Sequence, residues 1–74
     1  MKYVKFELVE QKPRTSVWEV RSHDGYLLGE VKWYPQWRQY CFFSETDLIF
    51  SASCLEDIAE FVNETNAEHK RTER

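Results

Sequence analysis

The chain has 74 residues, which is enough for one domain and too few for a second hydrophobic core. Aromatic residues make up 16 % of it, and its net charge of −3 divides into +2 over residues 1–38 and −5 over residues 39–74. A weakly basic first half and an acidic second half argue against duplex DNA as a partner, since duplex-DNA binders carry a strong basic surface.

Alternating apolar and polar residues predict three β-strands, and two shorter apolar segments between turn residues predict a fourth and a fifth. Asp24-Gly25 between two of them is a strong signal for a tight hairpin, because glycine accepts the positive φ angle that such a turn requires. Pro35 cannot donate a ladder hydrogen bond, so it ends the third strand. The predicted strands are Tyr3–Val9, Ser16–Ser22, Tyr26–Tyr34, Tyr40–Ser44 and Leu48–Ser51.

A single C-terminal helix follows the strand patterns. Ser53, with Glu56 three residues later, forms the pattern of a capping box and predicts the helix start. Apolar residues then recur at helical spacing and predict the buried stripe. That stripe consists of Leu55, Ile58, Ala59 and Val62, with Cys54 and Phe61 beside it. We expect one α+β domain over residues 1–70, an antiparallel meander of four to five strands with the helix packed on one face, and a frayed tail over 71–74.

This architecture leaves part of the sheet uncovered. Strands lie about 4.8 Å apart and a helix is about 10–12 Å across, so one helix covers two or three strands. The remaining apolar surface must be closed by curling of the sheet or by a second copy of the chain. We therefore predict a homodimer, with a curled monomer as the alternative.

The sequence offers no recognisable catalytic or metal-binding pattern, and we predict a protein that is not an enzyme and uses no cofactor. The chain has only two glycines, which leaves no glycine-rich phosphate loop. Cys41 and Cys54 lie in apolar stretches and are expected to be buried, reduced thiols. No apolar run approaches the roughly 20 residues that span a bilayer, and no signal-peptide pattern precedes the first strand. We therefore expect a cytoplasmic protein.

The segment KWYPQWRQYCFF, residues 32–43, is the strongest candidate for a functional surface. Trp33 and either Phe42 or Phe43 are expected in the core. The remaining aromatic and basic residues could stack on a ligand and bind its phosphate or carboxylate groups. The candidate site residues are Lys32, Tyr34, Trp37, Arg38 and Tyr40. In the structural alternative, Trp37 folds back on the sheet and Arg38 pairs with a carboxylate of the helix.

The same segment carries a resemblance. The run from Gly29 to Phe43, followed by C-L-E-D-I-A-E-F from Cys54, resembles small phage and prophage proteins with a G-x-[IV]-K-W-[YF]-x-x-W-R-x-Y-x-F segment and a C-L-x-x-I-x-x-F helix. The similarity covers residues 27–63, about half of the chain. It implies an accessory protein of a virus or mobile element that works in the bacterial cytoplasm, without implying an activity.

Two functions are compatible with these observations. The first is stoichiometric binding to a host protein through the exposed sheet or the acidic side of the helix. The second is binding of a small nucleotide-type ligand or a single-stranded nucleic acid. In the second case Tyr34, Trp37 and Tyr40 would stack on bases, and Lys32 and Arg38 would contact phosphate.

Overall fold

The computed structural model describes residues 3–72, which form a four-stranded antiparallel sheet and one long helix. The strands follow one another across the sheet in the order β1-β2-β3-β4. The predicted α+β meander with a C-terminal helix is confirmed. The elements are β1 (Val4–Gln11), β2 (Ser16–Ser22), β3 (Leu27–Tyr34), β4 (Gln39–Ser44) and α1 (Ala52–Thr72).

The prediction of a fifth strand at Leu48–Ser51 was wrong, because this segment is an irregular connection between β4 and α1. Ile49 is 99 % exposed, so its apolar character reflects no buried face. Phe50 is the residue that fixes the segment, since its ring packs edge-on against Phe42 with the centroids 5.9 Å apart. Asp47 turns the chain with a φ angle of 60°, a conformation that Asp tolerates better than most residues.

The N-cap of the helix lies earlier in the chain than the capping pattern predicted. The Cys54 amide donates to Ser51 Oγ at 3.2 Å, and the Leu55 amide donates to the Ser51 carbonyl at 3.0 Å. Ser51 is therefore the N-cap, and Ser53 lies inside the first turn. Both serines are of a residue type that favours the N-cap position, and Ser51 is the one whose hydroxyl accepts the capping hydrogen bond.

The core lies between α1 and one face of the sheet. Cross-strand neighbours on this face are in register, with Phe6 opposite Val20, Trp18 opposite Val31, and Trp33 opposite Tyr40. These pairs align apolar side chains across all four strands, which is the unit of sheet stabilisation. The buried residues are Val4, Val20, Val31, Tyr40 and Ile58.

The inner side of α1 departs from the predicted stripe. Ile58 and Phe61 face the sheet, and the Phe61 ring stacks on Phe6 with a centroid distance of 4.0 Å. Leu55 is 49 % exposed and Ala59 is exposed, so their assignment to the stripe was wrong. Near the helix end, polar residues replace aliphatic ones, and the His69 ring packs against Trp33 with the ring centroids 4.6 Å apart.

The helix continues to Thr72, through part of the segment that was expected to fray. Arg71 and Thr72 are helical, and residues 73 and 74 of the predicted tail lie outside the described range. Basic side chains in the last turn stabilise this end, because cations interact favourably with the carbonyl end of the helix dipole.

Asn66 joins the C-terminal half of α1 to the outer edge of β4. Its Oδ1 accepts a hydrogen bond from the Tyr40 amide at 2.7 Å, and its Nδ2 donates to the Tyr40 carbonyl at 3.1 Å. A side-chain amide thus satisfies both backbone groups of one residue of the strand, as a neighbouring strand would.

Gly29 lets β3 and β4 approach closely at the centre of the sheet. A Cβ atom at this position would lie 2.3 Å from the Phe43 carbonyl oxygen and 2.7 Å from the Phe42 ring. The buried position therefore accepts no side chain, and the Phe42 ring occupies the space that one would need.

The face of the sheet away from α1 carries charges. Cations and carboxylates alternate on it. Arg21 Nη2 lies 2.8 Å from Glu19 Oε1, and Lys32 Nζ lies 3.3 Å from Glu30 Oε1. The face is therefore mixed, with ion pairs on β2 and β3 and the rings of Tyr34 and Phe43 beside them. The homodimer itself stays a prediction.

Candidate binding surface on the β3–β4 hairpin

The loop between β3 and β4 is a tight four-residue turn, residues 35–38. The Trp37 amide donates to the Tyr34 carbonyl, and the Arg38 amide donates to the Pro35 carbonyl, both at 3.2 Å. Arg38 closes the turn with a φ angle of 54°. This conformation costs a residue with a Cβ about 1 kcal/mol and is one that glycine adopts freely. An arginine is therefore held here against its backbone preference.

Aromatic rings connect this turn to the charged face of the sheet. Trp37 is 66 % exposed, and its ring contacts Tyr34 edge-on with the centroids 5.0 Å apart. Tyr34 contacts Phe43 edge-on at 5.8 Å, and Lys32 Nζ lies 4.7 Å from the Phe43 ring centroid. We call Lys32, Tyr34, Trp37, Arg38 and Phe43 the hairpin surface. Ring contacts run from Trp37 through Tyr34 to Phe43 and Lys32, and Arg38 follows Trp37 at the exposed tip of the turn.

Tyr40, the fifth predicted site residue, does not join the hairpin surface. It is 4 % exposed and belongs to the core on the opposite side of the sheet. Its hydroxyl accepts a hydrogen bond from the Ser16 amide at 3.0 Å, and its ring packs edge-on against Trp18 and Trp33. Tyr40 therefore cannot stack on a ligand together with Tyr34 and Trp37.

The aromatic residues of β3 and β4 lie alternately on the two faces of the sheet, as successive residues of a strand do. Trp33 and Phe42 pack against the core, as expected for Trp33 and for one of the two phenylalanines. The structural alternative for the turn is not observed. Trp37 stays largely exposed, and Arg38 makes no ion pair with a carboxylate of residues 3–72.

A groove of about 270 Å³ lies between the hairpin turn and the last turns of α1. Trp33 and Trp37 contribute rings to it, and Arg38 and Lys70 contribute cationic groups without a carboxylate partner in the part of the chain described. Sequence reasoning missed the helix side of this groove. Asn66, His69 and Lys70 follow Ile58 at helical spacing, which places them on the same side of the helix. Because these three residues are polar, a search for apolar residues at helical spacing does not find them.

A larger groove of about 660 Å³ lies between the β1–β2 loop and α1. Its lining mixes the cations Arg14 and Arg71 with the carboxylates Glu64 and Glu68. Arg71 is already paired with Glu68. Charges of both signs leave this groove without a clear preference for one class of ligand.

The two cysteines are half-buried free thiols on opposite sides of the sheet. Cys41 lies on β4 opposite Lys32, and burial raises the pKa of its thiol, so the neutral form is favoured. Cys54 packs against the core.

Within residues 3–72, no three His, Cys, Asp or Glu side chains lie close enough to hold a metal ion. Over the same range, no helix has the length and apolar character needed to cross a membrane.

Comparison with known proteins relates the chain to a virus of bacteria. It is 33 % identical over 54 residues to an "Uncharacterized 9.3 kDa protein" of Acholeplasma phage L2, and the aligned region covers 72 % of this chain and 69 % of the phage protein. The chain belongs to the family of this phage protein. The phage context inferred from the hairpin sequence agrees with this relative, while the motif itself stays a prediction. No family model matches the chain, and no solved structure matches it.

Membership of the phage protein family bears on the source of the chain more than on its chemistry. The relative is a protein of similar size from a phage, which fits a small accessory protein of phage type. Because the relative is uncharacterized, a function for this chain has to be inferred from its surfaces, such as the hairpin surface.

Proposed function

We propose that this member of the phage protein family is a non-enzymatic accessory protein that binds one host protein stoichiometrically through the hairpin surface, in the cytoplasm of a bacterial cell. The observation that carries the proposal is the pair Trp37 and Arg38 at the tip of a tight hairpin. Trp and Arg are enriched among the residues that dominate the free energy of protein association.

The backbone of the turn adds support. Arg38 occupies a left-handed conformation, and a residue kept in such a conformation is a reason to look for a functional role. Trp37 is largely exposed although burial of an indole ring is strongly favourable. The partner expected from this chemistry has an apolar recess for Trp37, bordered by carboxylates that meet Arg38.

Charge favours a protein partner over a nucleic acid. The sheet face next to the hairpin surface pairs Glu19 with Arg21 and Glu30 with Lys32, so its charges are balanced, and the chain as a whole has a net charge of −3. A face of balanced charge offers little attraction to a phosphate backbone laid along the sheet. Recognition of a protein needs only local complementarity at the hairpin.

Replacing Trp37 by alanine should abolish capture of the partner while leaving the fold intact. An exposed side chain contributes about 0.5 kcal/mol or less to stability, whereas loss of a central tryptophan weakens a protein complex by about 2 kcal/mol or more, roughly 30-fold. The measurement is affinity capture from an Acholeplasma lysate, identification of the captured protein by mass spectrometry, and calorimetric titration with the purified partner.

Tyr26→Ala is the matched control for this experiment. Tyr26 is an equally exposed aromatic residue, 73 % accessible, in the β2–β3 hairpin at the other end of the sheet. Arg38→Gly is a second variant, which relieves the backbone at φ 54° and removes the side chain with its cation; it should fold at least as well and bind less tightly. Equal binding by the Trp37→Ala, Arg38→Gly and Tyr26→Ala variants would contradict the proposal.

A second candidate function rests on the groove beside the hairpin. Two tryptophan rings and the cations of Arg38 and Lys70 line a space of about 270 Å³, just below the usual range for ligand sites of about 300–1,000 Å³. This volume suits a single base or phosphate group. Small nucleotides are therefore the ligand class to test, ahead of longer oligonucleotides.

Nucleotide binding at the groove should change tryptophan fluorescence in a way that depends on Trp37. Titration with a nucleoside monophosphate, a cyclic dinucleotide and a short oligonucleotide should quench the wild-type protein. Trp37→Ala should weaken binding roughly tenfold or more, because stacking contributes about 1–3 kcal/mol per base. Unchanged fluorescence at millimolar ligand would eliminate this second function.

A further inference from the structure

The first strand forms one edge of the sheet, and its outer side has no strand neighbour within residues 3–72. β1 is eight residues long, and it exposes two large apolar side chains, Leu8 at 53 % and Val9 at 48 %. A long edge strand with exposed apolar residues is a ready template for pairing with another strand.

The charges of β1 are poorly matched to β2. Lys5 lies directly opposite Arg21, and Glu7 lies directly opposite Glu19. Like charges at directly opposed positions destabilise a strand pair. Glu7 is partly compensated by its diagonal neighbour, since Arg21 Nε lies 3.8 Å from Glu7 Oε1. Lys5 makes no ion pair with any described carboxylate.

We propose that β1 pairs with β1 of a second copy of this chain, antiparallel and centred on Phe6. A two-fold axis at Phe6 places Lys5 of each copy opposite Glu7 of the other, so each charge that faces a like charge on β2 faces an unlike charge across the new pair. By the same symmetry, the exposed Leu8 lies opposite Val4 of the second copy.

Other registers with both helices on the same side of the joined sheet are less favourable. A two-fold axis at Lys5 opposes two lysines, and an axis at Glu7 opposes two glutamates. An axis between two residues places an inward-facing residue opposite an outward-facing one, which turns the second helix to the other side. The β-bulge after Leu8 sets a natural limit to the regular pairing, which spans residues 4–8.

The surroundings of β1 leave room for this neighbour. A groove of about 680 Å³ runs along the strand and is lined by Val4, Lys5, Phe6, Glu7 and Phe61. The stacked rings of Phe6 and Phe61 form its apolar wall. Addition of a second copy would extend the core contacts across the two-fold axis through these rings.

Charge reversal on β1 tests both the dimer and its register. In size-exclusion chromatography with light scattering over the micromolar range, the wild-type chain should reach twice its 9.0 kDa mass. Lys5→Glu should raise the dimer dissociation constant about tenfold or more, because symmetry places two repulsive pairs at the interface. The double variant Lys5→Glu/Glu7→Lys should restore the dimer. Within one chain, these changes place opposite charges across from Arg21 and Glu19, so folding is favoured.

Amide hydrogen exchange gives an independent readout on the wild-type protein. Protection of residues 4–8 should rise with protein concentration, and protection of β3 should not. A monomer at all concentrations up to several hundred micromolar, a Lys5→Glu variant that dimerises like wild type, or a double variant that stays monomeric would each overturn the proposal.

Discussion

Gly29→Ala is expected to destabilise the protein by about 3 kcal/mol, a large share of the stability of so small a domain. The added methyl group would lie 2.3 Å from the Phe43 carbonyl oxygen, which is backbone in the neighbouring strand, and 2.7 Å from the Phe42 ring. The carbonyl cannot withdraw without opening the β3–β4 pairing, in which Gly29 lies opposite Ser44. Thermal and urea unfolding measure the loss.

Gly25→Ala provides the comparison, because the chain has only these two glycines. Gly25 has a φ angle of 95°, and a methyl group added to it would meet no other atom within 4 Å. Its substitution should cost about 1 kcal/mol through backbone conformation alone. A smaller cost at Gly29 than at Gly25 would show that β3 and β4 do not approach each other closely at this point.

Asn66→Ala is expected to cost about 2 kcal/mol, because it removes both hydrogen bonds to the Tyr40 backbone. The two backbone groups would be left partly buried beneath the end of α1. Unfolding experiments should show the loss, and hydrogen exchange of the Tyr40 amide should accelerate more than that of Val31 at the centre of the sheet.

The matched control is Asn63→Ala, on the same helix and exposed to solvent. This variant changes helix propensity by the same amount as Asn66→Ala and removes no contact with β4. The difference between the two variants therefore isolates the pairing with Tyr40. Equal stability of the two would mean that the Asn66 amide contributes nothing to holding the strand.

Most of the strands could be predicted from sequence, because alternation of residue types and turn residues depend only on neighbouring positions in the chain. Alternation placed Val20 and Val31 inside, and Asp24-Gly25 placed the hairpin between β2 and β3. The strand predicted at Leu48–Ser51 is not formed, because a short apolar run does not by itself supply a neighbouring strand. Ile49 has the right residue type for a strand and still lies in solvent.

The helix and the candidate site were predicted less well because tertiary contacts decide them. Asn66 and His69 face the sheet although both are polar, since one pairs with strand backbone and the other packs on Trp33. Tyr40 was grouped with Tyr34 and Trp37 by proximity in sequence. The turn at Arg38 instead sets Tyr34 and Tyr40 on opposite faces of the sheet, a division that requires the register of β3 and β4.

The contact between Asn66 and Tyr40 also bears on how far the sheet can grow. A strand arriving at β4 would have to displace a side chain that already satisfies the backbone of Tyr40. At β1 the comparable contact, from the Tyr3 amide to Asp57 Oδ2 at 2.7 Å, lies just before the strand and leaves the backbone of residues 4–8 without a hydrogen bond to a side chain of the described helix. Two edges of equal reactivity would allow head-to-tail addition into fibres. Unequal edges favour a closed pair, so in the dimer that we propose, Asn66→Ala, which unblocks the Tyr40 backbone, is expected to promote open-ended assembly.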